Sequence, residues 1–86
     1  MRLDTEPRCP TAAECTVVAA LLECDLPPIS ADLRFLHEMD RAAASAIPLM
    51  NPDRRAYLYR IAMRYRNRLL PEIRDIADGL RPGKTP

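Results

Sequence analysis

Asn51-Pro52-Asp53-Arg54-Arg55-Ala56-Tyr57-Leu58-Tyr59-Arg60-Ile61-Ala62-Met63-Arg64-Tyr65 opens on three helix-start signals in a row. Asn51 suits the N-cap, Pro52 the first helical position where an N–H has no partner to lose, and Asp53 the positive end of the helix dipole. Leu58, Ile61, Ala62, Tyr65, Leu69, Ile73 and Ile76 then keep one apolar face in phase for roughly five turns, across Pro71. This phase predicts one long helix from Pro52, kinked or broken at Pro71. Pro71 has no N–H for the carbonyl of Asn67 and its ring crowds that carbonyl, so the alternative to a kink is a break near Leu70 with a fresh start at Pro71-Glu72.

On the N-terminal side of this segment, Phe35, Leu36, Met39, Ala42, Ala43 and Ala46 fall at offsets 0, 1, 4, 7, 8 and 11, an amphipathic stripe. Ser30 is its N-cap, Asp32 complements the dipole and Pro48 ends it. Thr11-Ala12-Ala13-Glu14 matches the capping box, in which each side chain satisfies a backbone donor of the other residue. A further helix is expected from there, with Val17, Val18, Leu21 and Leu22 as its apolar residues, stopping near Cys24 or Asp25 ahead of Pro27-Pro28. On the C-terminal side Gly79 fits a C-cap and Pro82-Gly83 ends regular structure. No strand alternation or hairpin signal occurs. The expected fold is all-α: a small bundle of three main helices, the third long, forming one domain over residues 11–80 between tails at 1–10 and 81–86. Leu21, Leu36, Ile61 and Tyr65 are expected in its core.

A chain of 86 residues buries only about 60 to 65% of the surface its unfolded form exposes, so its core is expected to be thin. The longest strictly apolar run, Val17 to Leu22, is too short to span a bilayer. With no secretory signal pattern at the N-terminus either, a cytoplasmic location is the expectation. Cys9, Cys15 and Cys24 form no C-x-x-C pair, and with the single histidine, His37, they match no zinc spacing. Neither a disulfide framework nor a metal or other cofactor is expected. His37 lies among Arg34, Glu38 and Arg41 on a polar face, and no nucleophile motif or phosphate-binding glycine loop is present, so an enzyme is not expected.

Net charge is +1, but the first fifty residues hold four arginines against eight carboxylates and the remainder eight arginines and a lysine against four. The chain is electrically bipolar. Six of those arginines lie between Pro52 and Leu70, interleaved with Tyr57, Tyr59 and Tyr65. On a helix, Arg60, Arg64 and Asn67 fall opposite the apolar face, while Ala56, Tyr59 and Met63 form a second, smaller strip between the two. The candidate partner-binding residues are therefore Tyr59, Arg60, Met63, Arg64, Asn67 and Arg68. A merely solvated arginine face is the plainest account of them. Protein recognition ranks first among functional readings, because Tyr, Met and Arg are enriched at interface hot spots. That reading makes the chain a small regulator, inhibitor or anti-activator, or assembly subunit, with a partner protein or a second copy as its target. Second comes a DNA- or RNA-binding regulator, weakened by the acidic first half. No membrane association is expected.

Overall fold

The computed structural model describes residues 8–81, and those residues are helical with no strand among them. Helix α1 spans Ala12–Leu22, α2 Ala31–Ala44, α3 Pro52–Arg64 and α4 Pro71–Asp78, with a 3₁₀ turn at Arg66–Arg68. All three N-caps read from the sequence form. Thr11 and Glu14 make both halves of a capping box, while Ser30 and Asn51 each accept from the backbone N–H three residues on. Residues 1–7 and 82–86, most of the two expected tails, lie outside the described residues.

Of the two alternatives at Pro71 the structure takes the break, so the expected long third helix is two separate helices. Proline disfavours helical geometry at the residue before it, and Leu70 is extended at φ −64°, ψ 152°. The break is not confined to one peptide. Tyr65 leaves the helix at φ −109°, ψ 23°, the 3₁₀ turn follows, and Leu69 is already extended. Among the described residues there are thus four α-helices where three main ones were expected, and the fourth takes Pro71 as its first residue. Of the apolar residues expected on this face beyond Tyr65, Leu69 is buried in the break, whereas Ile73 and Ile76 are half-buried and pack at the core's edge, and Ala77 takes the fully buried place in α4.

Helix α1 is the hub, with α2, α3 and α4 all packing on it. Val17, Val18 and Leu21 from α1 meet Phe35, Leu36 and Met39 from α2, Leu58, Ile61 and Ala62 from α3, and Leu69, Ala77 and Leu80. Leu21, Leu36 and Ile61 have no exposure, as the periodicity predicts. Tyr65 is only half-buried, which corrects its expected place in the core. It is the residue at which α3 ends, so its ring no longer follows the helical phase.

Before α1 the chain is pinned. Arg8 and Met50 exchange both backbone hydrogen bonds at 2.8 Å, placing the start of the described chain against the connection between α2 and α3. The end of α2 that faces this bridge closes through two bonds, Ile47 N–H to Ala42 O and Ala46 N–H to Ala43 O. This is a Schellman arrangement, with Ala46 at the position that usually takes glycine. Its φ is 55°.

Candidate functional site: the third helix and its arginines

Tyr59, Arg60, Met63 and Arg64 recur at helical spacing on α3, so they share one side of it. Asn67 and Arg68 belong to the 3₁₀ turn beyond its end and do not continue that face. Arg60 and Asn67 are exposed, whereas Tyr59 and Met63 are half-buried and pack on the core's edge. The Tyr59 hydroxyl accepts from Nε of Arg81 at 3.3 Å. The strip is therefore part core and part surface, with an arginine laid over one end.

The arginines bordering the strip are mostly engaged. Arg54 donates to the carbonyl of Leu49 at 3.0 Å, Arg55 to that of Gly79 at 3.2 Å, Arg68 to that of Asp25 at 2.6 Å and Arg74 to that of Arg66 at 3.0 Å. The Leu49, Gly79 and Asp25 carbonyls lie in connections or at a helix end without a helical partner, where a forked, always-charged donor can serve them, whereas the Arg66 carbonyl also accepts from the Leu69 N–H. Arg68 also stands 5.7 Å from the Tyr65 ring centre, within cation–π range. Arg66 pairs with Asp78 at 3.9 Å. Among the described residues, only Arg60 of the six arginines between Pro52 and Leu70 has no intramolecular partner.

Two acids anchor the rest, and both are buried. Asp32 accepts from the Tyr57 hydroxyl at 2.8 Å and from Arg64, which holds the outer face of α3 against α2. The Tyr57 ring meets Phe35 at 4.5 Å between centres, a tilted aromatic pair. Burial, followed by the bond to Asp32 and the charge of Asp32, pushes the Tyr57 phenol above its ordinary range. Glu14 is wholly buried and accepts from Nη1 and Nη2 of Arg8, at 2.9 and 2.7 Å, and from the Thr11 amide at 2.8 Å. Arg55 Nε lies 3.5 Å from the same carboxylate, within ion-pair range but without hydrogen-bond geometry. Burial alone would raise the Glu14 carboxyl. The Arg8 bond, the Thr11 amide and the charges of Arg8 and Arg55 outweigh it and hold the group below the ordinary carboxylate range.

No family model, curated protein or solved structure matches this chain. The residues must therefore be weighed on their own chemistry. Among the described residues, no three His, Cys, Asp or Glu side chains come together as a metal-binding group. His37 is exposed, and the three cysteines are unbridged. Cys15 is a poor nucleophile, since burial and then the charges of Glu14 and Asp40 raise its thiol. No helix among the described residues is long and apolar enough to cross a membrane. What sequence reasoning missed is the double duty of Glu14 and Asp32, recognised there only as helix-start residues. A signal for it existed. Glu14 stands three, four and seven residues before Val17, Val18 and Leu21, and Asp32 stands likewise before Phe35, Leu36 and Met39, so each acid occupies the core-facing phase of its helix.

Proposed function

We propose that this chain is a non-enzymatic helical interaction module, a small regulator, inhibitor or assembly subunit, that binds a partner protein through α3 and the turn after it. Tyr59 and Met63 form the apolar centre of the surface and Arg60 and Arg64 its rim on α3, with Asn67 and Arg68 as outlying contacts in the turn beyond that face. The observation that carries this reading is the engagement of the arginines. A phosphate backbone is bound by cations free to neutralise it. Five of the six arginines in this segment already serve carbonyls or carboxylates of the chain itself, leaving Arg60 free beside a half-buried Tyr–Met strip. Such a surface suits a protein whose apolar side chains finish covering the strip.

The test compares variants and salt. Tyr59→Ala and Met63→Ala should weaken binding to a captured protein partner at least as much as Arg60→Ala, with circular dichroism used to verify that each variant keeps its helices. Raising salt from about 50 to 200 mM should weaken binding by less than roughly tenfold, because screening acts mainly on exposed charges. Tight oligonucleotide binding that collapses over that range, and that depends on Arg60 and Arg64 but not Met63, would replace this reading with nucleic-acid recognition.

A further inference from the structure

The break between α3 and α4 creates a second surface at the other end of α1. A groove of about 290 Å³ opens between the C-terminal end of α1 and the start of α4, with Ala20, Cys24, Leu69, Leu70 and Ile73 as its apolar lining. Leu70 is 64% exposed, one of the few large apolar side chains left in water. Glu23 and Asp25 stand on the α1 side and Arg68 on the side of the break, with one guanidinium nitrogen bonded to the Asp25 backbone carbonyl at 2.6 Å and its other donors without a hydrogen-bond partner among the described residues. Neither carboxylate has an ion-pair or hydrogen-bond partner among the described residues, and the last turn of α1 has no basic residue to meet its negative dipole end.

We infer that this groove is the self-association face of the protein, occupied by the same face of a second copy. The argument is charge complementarity about an apolar centre. A wholly basic partner would meet Arg68, and a wholly acidic one would meet Glu23 and Asp25. An occupant that suits both edges must carry an exposed apolar residue with a cation on one flank and acids on the other, and that is the composition of the patch itself. A two-fold axis near Leu70 sets the Arg68 of each copy opposite the Glu23 and Asp25 of the other, as an isologous interface requires. Leu70 then leaves water for its partner's groove. The patch is small, so the dimer is expected to be weak and concentration-dependent. This inference does not rest on the partner-binding role of Tyr59 and Met63, and each can fail without the other.

Sedimentation equilibrium from about 5 to 500 μM should show a reversible monomer–dimer equilibrium, a range suited to interfaces at the small end of the size scale. Leu70→Asp should weaken it by about tenfold or more while the far-ultraviolet spectrum stays helical. Glu23→Arg and Arg68→Glu should each weaken it, and the double variant should recover much of the loss, since the inverted charges again face one another. A monomer throughout would overturn the inference and leave the groove to a foreign partner. A dimer indifferent to Leu70→Asp, or a double variant no better than the worse single one, would overturn it too.

Discussion

Glu14 is a single carboxylate that holds three things at once: the start of α1, the Arg8 segment and, through Arg55, the start of α3. Its titration therefore reads out as stability. In the folded chain the group ionises below the ordinary carboxylate range, whereas in the unfolded chain it ionises within that range. The unfolded state thus binds more protons between the two values, so the Glu14 contribution is complete above the ordinary range and fades as pH falls through the folded value. Glu14→Gln should cost about 1 to 3 kcal/mol at neutral pH and leave a flatter fall in stability on acidification than the parent, as measured by urea unfolding at stepped pH. Superimposable profiles would mean that Arg8 and Arg55 contribute nothing through this carboxylate. The sequence makes the capping role of Glu14 readable, because a capping box is local. Its ion pairs bring residues from α1 and α3 together, and no spacing within one helix encodes that meeting.

Helix ends were the most legible elements where a side chain closes them and the least legible where the backbone does. Thr11, Ser30 and Asn51 announce their helices through oxygen atoms that reach a nearby amide. The end of α2 carries no glycine to announce the left-handed residue that its closing bonds demand. Ala46 takes that conformation at a cost of about 1 to 2 kcal/mol from its Cβ. Ala46→Gly removes the strain and gives back part of the gain through a more flexible unfolded chain, so a net stabilisation of about 0.5 to 1 kcal/mol is expected. Differential scanning calorimetry should record it as a rise in Tm of about 2 to 6 °C. A fall in Tm would show that the strain at this end is not what limits it. The end of α3 was half legible. Pro71 marks the break, but the unwinding begins at Tyr65, six residues earlier, where the chain turns so that Leu69 stays buried.

For the whole molecule, the bipolar charge distribution was plain in the sequence and its use was not. Two of its ion pairs, Glu14 with Arg55 and Asp32 with Arg64, join the acidic first half to the basic second, so part of the asymmetry is consumed in folding. The candidate site inherits that ambiguity, because an arginine in a sequence looks the same whether it faces water or a neighbouring carbonyl. The arginine contacts that tie connections to helices have one more consequence, in the choice of denaturant. Urea weakens apolar burial and the peptide backbone without adding charge. Guanidinium chloride does the same while supplying both a screening salt and a free copy of the arginine head group, which competes for the carbonyls of Leu49, Gly79, Asp25 and Arg66 and for the two buried acids. Linear extrapolation from guanidinium should therefore return a stability about 1 to 2 kcal/mol below that from urea, a gap wider than the extrapolation error for a domain this small. Equal values would mean the arginine contacts add little to stability. A gap of that size would make guanidinium a specific competitor of this fold as well as a general denaturant.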